Sequence, residues 1–535
     1  MTSGGLSEAQ LKARGELRPI KPARLFAVSC VALTCGSMMF AIFGDIRLGL
    51  KHDFILTNED VGWIASAGTG FMVAMFLFGP LCDVLGMKWL LRLAFLLQTG
   101  GLVLMILAEG PVWLFLGLLV NSLGSGAVEA VCNPLIATIY PDKKTQKLSQ
   151  FHMWFPGGIV IGSAACYVLT QAGLDLWRLK LALAVLPALA YGVMLIGLDF
   201  PKTERVQAGV TFGGMWKETF LRPLFLMLLG CMLLTASLEL GPMGWIPAVF
   251  SAGGMPGILI LMEITILMAV LRFVAGPVVR TLTNPGVLLL AAVVGGTGLL
   301  LLSFPMGVYG VMGVAAVFAV GVAYFWPTML GTVAERVPKG GALALAIIGG
   351  TGSCFVSVVT QPEMGRLADQ YLQQELVLKG TVDGQPVDKT QTTLAVLRDV
   401  HTSFKEWQDS LRDSPRDRAT RKDIQPVLNE VGRVLEAYDH AGQLPAAAAA
   451  RALRTAIKNA PTEKGERAEV EEEALSACNR AVKLLNPADY KGGLMSFRYV
   501  TPVAGVLIVI FGILLLKDRR RGGYRPDRIS AGPGR

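Results

Sequence analysis

Long apolar runs and short polar gaps alternate along most of this chain. A helix that crosses the hydrocarbon core of a bilayer needs about 20 mostly apolar residues. Twelve runs meet that need: 25–46, 61–82, 89–108, 112–138, 151–170, 179–198, 222–249, 257–279, 286–303, 307–332, 341–361 and 497–516. The first is too long for a signal-peptide core and lacks a small-residue cleavage pattern, so it reads as a span. Between the eleventh and twelfth runs the pattern turns polar. Helical periodicity returns there in amphipathic form at about 391–413, 424–438, 446–459 and 466–485, with Leu394, Leu397, Val400 and Phe404 at helical spacing. The expectation is an all-α membrane protein of twelve transmembrane helices, with a helical insertion between helices 11 and 12.

Composition agrees with that pattern. Of 535 residues, 53% are apolar and 17% charged, with mean hydropathy +0.51, whereas soluble chains carry about 25% charged residues. Disordered, coiled-coil and multi-domain soluble proteins are excluded. Residues 364–496 hold about 19 basic and 20 acidic side chains, a nearly neutral solvated block. The formal net charge of +9 sits mostly in the tails, with Lys12, Arg14, Arg18, Lys21 and Arg24 before the first run and Lys517, Arg519, Arg520 and Arg521 after the last.

Even-numbered connections add Lys88 and Arg92, Lys143, Lys144 and Lys147, Lys202, Arg205 and Lys217, Arg280, and Arg336 and Lys339. Basic residues mark the cytoplasmic side, so both termini are expected in the cytoplasm and the insertion outside. The basic excess is topology and implies no nucleic acid. The linker after run six, 199–221, divides the chain into two halves. The organisation expected is a tail at 1–24, a six-helix half at 25–198, helices 7–11 at 222–361, an extracytoplasmic insertion at 362–496, helix 12 at 497–516 and a basic tail at 517–535.

Candidate chemistry narrows the function. The eight cysteines form no Cys-x-x-Cys, and His52, His152, His401 and His440 form no ligand spacing, so no metal or cofactor is expected. No Gly-Lys dipeptide occurs, which excludes a Walker A loop and an ATP-driven pump. No nucleophile, base and orienting acid cluster, so the chain is not read as an enzyme.

The connection after run two reads Gly79-Pro80-Leu81-Cys82-Asp83-Val84-Leu85-Gly86-Met87-Lys88. It resembles the loop signature of the major facilitator superfamily, a tight glycine turn with an acid at a helix end that latches one conformation. The signature's Arg after the acid is Val84 here, so Lys88 or Arg92 would supply the cation; Gly79, Asp83, Gly86, Lys88 and Arg92 form the expected gating motif. Run four carries Glu129, Asn133 and Pro134, with Glu129 and Asn133 on one helix face. This resembles the fucose and glucose/galactose permease branch, as does the stretch from Lys147 to Gly158 with Gln150 and His152. His152 stands where that branch usually has Gln, and Phe155 where it has Asn.

Asp45 near the end of run one is similar to the coupling acid of sugar permeases. A second reading makes it an interfacial acid paired with Arg47 or Lys51. Glu239 and Trp245 on run seven share a face only where the helix breaks, which Gly241-Pro242 permits. Tyr324 and Trp326 lie beside Pro327 on run ten, as binding aromatics or as packing. The resemblance implies that runs one, four, seven and ten line a central cavity.

The function expected is a secondary transporter moving a small polar solute, a sugar by preference, through proton-coupled symport and alternating access. Glu129, Glu239 and Asp45 are the candidate coupling acids. Glu129, Asn133, Gln150, His152, Glu239, Trp245, Tyr324 and Trp326 are the candidate solute-binding residues. Organic cations are the alternative substrate; anions are disfavoured, because those four runs show no clear mid-depth Arg or Lys. A transporter-like sensor or assembly protein, whose insertion docks an extracytoplasmic protein partner, is the reading from another class. Arg272 on run eight is a candidate ion-pair residue, and Gln361 a weaker polar one. The bilayer expected is the plasma membrane, as a bacterial inner membrane.

Overall fold

The computed structural model describes residues 20–82, 85–140, 147, 150–201, 220–337, 341–382, 385–412, 414–461 and 468–524. The first half contains α1 (Pro22–Phe54), α2 (Asn58–Ala65) continued through a 3-10 turn into α3 (Gly70–Leu81), α4 (Met87–Ile106), α5 (Pro111–Ile139), α6 (Trp154–Gln171) and α7 (Trp177–Met194). The second contains α8 (Pro223–Ala252), α9 (Gly257–Phe273), α10 (Ala275–Leu302), α11 (Val308–Val322), α12 (Phe325–Arg336), α13 (Gly341–Phe355) and α14 (Gln361–Leu376). Proline opens α1, α5 and α8, where its missing N–H costs nothing and its φ suits the first turn. α2 begins on a capping box: Thr57 Oγ1 accepts from the Asp60 N–H at 3.0 Å, and the Thr57 N–H donates to Asp60 Oδ2 at 2.9 Å.

Among the described residues, eleven helical stretches are long and apolar enough to cross a membrane. The expected twelfth, over 257–279, is the exception. Its helix α9 has 17 residues and ends before Val274. Pro277 has no N–H for a continuing helix but fits the first turn of α10. Run ten also divides, at Ala323–Tyr324 between α11 and α12. Run eleven instead continues through a five-residue π turn, Val356–Thr360, into α14.

Small residues allow close helix contact, as is common in membrane bundles. A Cβ on Gly101 of α4 would strike the backbone of Asn121 in α5, and one on Gly321 of α11 would strike that of Gly295 in α10. The halves meet where α1 packs on α8, α2 on α14, α3 on α13 and α6 on α9.

Beyond α14 lies a polar layer with its own core. A two-stranded antiparallel hairpin, β1 (Lys379–Val382) and β2 (Gln385–Asp388), precedes α15 (Lys389–Ser410), α16 (Pro415–Ala441), α17 (Ala446–Lys458) and α18 (Ala468–Val500). The hairpin departs from the all-α expectation. Leu372, Leu376, Leu397, Val400, Phe404, Val427, Leu453 and Ala477 are buried together, so the amphipathic faces close on one another. Thr501 keeps helical backbone angles between α18 and α19 (Pro502–Arg520), joining the layer to the last membrane helix. α14 and α18 pack along each other at this end of the bundle, called the cap end below.

Candidate solute-binding site

In the first half, α5 places Glu129 and Asn133 one turn apart. Asn133 Oδ1 lies 3.1 Å from His152 Nε2, tying α5 to the approach to α6. Glu129 is within hydrogen-bond reach of Asn133. Pro134 removes the helical N–H that would meet the Ala130 carbonyl, and the Cys82 thiol occupies that place at 3.6 Å. Among the described residues no cation pairs with Glu129. Gln150 stands apart from this set, accepting a hydrogen bond from Lys147 Nζ at 2.9 Å.

In the second half, Glu239 on α8 is 2% exposed. Its Oε1 accepts from Arg272 Nη2 at 3.1 Å, and its Oε2 has no partner. Arg272 Nε also donates to the Ala323 carbonyl at 2.9 Å, at the break between α11 and α12. That answers the expectation of an ion pair for Arg272, with a partner on another helix. Tyr324 is buried and donates to the Leu271 carbonyl at 3.4 Å. Trp326 is half-buried, with its ring facing Gly349 of α13. α6 packs on α9, which brings the helix that follows His152 beside the helix that carries Arg272.

Three expectations are corrected. α8 runs unbroken from Pro223 to Ala252 through Gly241-Pro242. Glu239 and Trp245, six residues apart, therefore point about 120° from each other around it. Trp245 leaves the Glu239 face and stacks under Arg47, whose Cζ is 4.2 Å from the ring centre. Asp45 pairs with neither Arg47 nor Lys51. It accepts from Lys180 of α7 at 2.6 Å, both side chains being under a tenth exposed, and Lys180 also meets Asp175. Lastly, α1 continues to Phe54, which buries Arg47 at 2% exposure in the seam between halves, so the bundle does hold a deep cation on its first helix.

Arg47 and Lys51 escaped the sequence reading as seam residues. Phe43, Arg47 and Lys51 recur every fourth position, the spacing of a single helix face, and that was the available signal. Arg47 Nη2 donates to Gln361 Oε1 at 3.0 Å, and Gln361 Nε2 reaches the Gly241 carbonyl at 3.3 Å. Lys51 Nζ meets Asp489 at 2.7 Å and Asn58 Oδ1 at 2.9 Å. These links join the two halves at the cap end.

Within the gating motif, Asp83 lies outside the described residues. Gly86 has φ +83°, a left-handed turn that favours glycine, immediately before α4. Gly79 has open space around it. Lys88 pairs with Asp199 at 2.7 Å, and Arg92 lies over Trp89 at 5.3 Å, so these cations have described partners of their own. At the same end, Arg336 Nη2 pairs with Asp518 at 2.5 Å, and Asn284 donates to Glu335 at 3.1 Å. The Tyr524 phenol donates to Glu335; burial first, then that bond, pushes its pKa above the ordinary value and keeps it a donor.

Two helical halves, each with a buried polar set, form an apolar bundle with eleven described stretches long enough to cross a membrane. Residues 25–361 match the Major Facilitator Superfamily, and the chain belongs to that family of transporters. It is 27% identical over 199 residues to Sugar transporter ERD6-like 7 of Arabidopsis thaliana, covering 36% of this chain and 41% of that one. It is 26% identical over 165 residues to Myo-inositol transporter 1A of Cryptococcus neoformans var. grubii, covering 30% and 29%. The matched stretch is thus under two thirds of either relative's length. A bacterial homologue of the human lysosomal transporter Spinster, solved inward-facing and occupied, superposes with a TM-score of 0.59 at 12% identity over 93% of this chain and 97% of that one. That likeness concerns the fold alone.

Proposed function

We propose that the protein carries a small polyhydroxylated solute of the sugar class by alternating access, in symport with protons. The observation that supports this most is a polar set on each half, Glu129, Asn133 and His152 on one and Glu239 and Arg272 on the other, in halves that meet where α6 packs on α9. Sugar hydroxyls donate and accept at once, so they suit carboxylate, amide and imidazole neighbours, while their C–H faces suit an aromatic platform such as Trp326. The two curated relatives are named for sugar and myo-inositol transport, and the motif around Glu129 and Asn133 favours the fucose and glucose/galactose permease branch.

Glu129 is the coupling acid in this reading. Glu239 is bound to Arg272 and Asp45 to Lys180, whereas a carboxylate without a fixed cation can load and release a proton as its surroundings change. In this reading the membrane is a bacterial inner membrane, and the basic tails and even-numbered connections support cytoplasmic termini and an outward polar layer. The seam bonds at the cap end then close the outer side and must part for the solute to enter.

Entrance counterflow in proteoliposomes tests the reading. Preloaded sugars or polyols should drive uptake of a labelled one. Exchange of amines without sugars would replace the substrate class with organic cations. No exchange of either would favour a transporter-like sensor whose outer layer docks a partner.

A further inference from the structure

The Arg47 guanidinium is the feature that a neutral solute leaves unused. It is 2% exposed and lies over the rings of Trp245, at 4.2 Å, and Phe43, at 5.3 Å. Of its nitrogens, Nη2 bonds the Gln361 amide oxygen at 3.0 Å, while Nε and Nη1 have no partner. The Trp245 indole Nε1 is likewise buried and unpartnered. Among the described residues no carboxylate pairs with Arg47; the seam acids Asp489 and Asp369 are engaged by Lys51, Asn58 and Arg454. A buried cation lacking a counter-ion is costly, and the unpartnered atoms on these two stacked residues are all donors. Donors without acceptors call for an anionic, acceptor-rich group, and the planar fork of an arginine matches a carboxylate.

Trp245 lies six residues toward the cap end from Glu239 on one unbroken helix, about 9 Å along its axis and about 120° around it.

We propose that Arg47 and Trp245 form a carboxylate subsite, so that the solute is a hydroxylated carboxylic acid whose acid group is held there. The Gln361 amide oxygen stands where one carboxylate oxygen belongs in the shut state, and parting of the seam frees the fork. This rests on the polyhydroxylated-solute reading and reverses the expectation against anions.

D-glucuronate and D-glucose share a ring and differ by a carboxylate in place of a hydroxymethyl group, so their binding to the purified full-length protein is the test. Wild type should bind glucuronate at least about tenfold more tightly than glucose, which leaves the buried donors without an acceptor. Arg47→Gln should bring the two within about twofold, and Arg47→Lys, which keeps the charge but not the fork, should fall between. The melting temperature of Arg47→Lys checks that the fold survives. Glucose binding as tight as glucuronate, or a preference kept in both variants, overturns the subsite and leaves the sugar reading standing. Binding of neither ligand overturns both.

Discussion

Lys51 Nζ lies 2.7 Å from Asp489 Oδ2, a bond that joins the first membrane helix to the helix leading into the last one. It belongs to a buried network. Asn58 Nδ2 donates to Asp369 and Asp489 at 3.0 Å each, and Arg454 Nη2 is 3.4 Å from Asp489 and 3.7 Å from Asp369. Two cations and two carboxylates balance, each under a tenth exposed. Three parts of the chain therefore share one charge cluster: the first half, the middle of α14 and the polar layer. The layer is part of the seam between the halves.

Removing one member of such a cluster leaves a buried charge without its partner. Asp489→Asn is expected to destabilise the folded protein by about 3–5 kcal/mol, read as a lower melting temperature in detergent. Lys51→Met combined with Asp489→Asn removes one charge of each sign and should recover part of the loss. A double variant as unstable as the sum of its single changes would mean that the two residues do not act as a pair.

Glu129→Gln separates coupling from translocation. The amide keeps the shape and the contact with Asn133 but carries no proton. Counterflow should persist while uphill accumulation driven by a pH gradient disappears. Accumulation that survives the substitution would remove Glu129 from the coupling role.

Asp45→Asn should behave in the opposite way. Its partner Lys180 is held in the same cleft with Asp175, so the substitution weakens the anchoring of α1 to α7 and lowers thermal stability. The pH-driven accumulation should remain. A variant of normal stability that no longer accumulates solute would return Asp45 to the proton path.

Much of the fold was legible because spanning helices announce themselves by long apolar runs, and the amphipathic layer by Leu394, Leu397, Val400 and Phe404. The Glu129–Asn133 face was legible because four residues make about one turn. What stayed hidden was tertiary. Arg47 looked interfacial because its apolar run ends at Ile46, yet the helix continues to Phe54 under the cover of α14 and the polar layer. Its partner Gln361 lies more than 300 residues away, and no local pattern encodes that contact. Asp45 and Lys180 found each other across the first half for the same reason. The Gly241-Pro242 pair suggested a break in α8, but that helix runs on through it, and the run that divides is α11–α12, at Ala323–Tyr324.

Alternating access requires the seam between the halves to part, and one disulfide can hold it together. A Cβ on Gly68 would lie 3.3 Å from Cβ of Ser357 on the facing half, near the usual disulfide separation of about 3.5–4.5 Å. The measurement is counterflow by the Gly68→Cys/Ser357→Cys variant, oxidised and then reduced in the same proteoliposomes. The account predicts solute exchange in the reduced protein, its loss once the cross-link forms, and its return with dithiothreitol. Exchange that continues with the cross-link in place would contradict it.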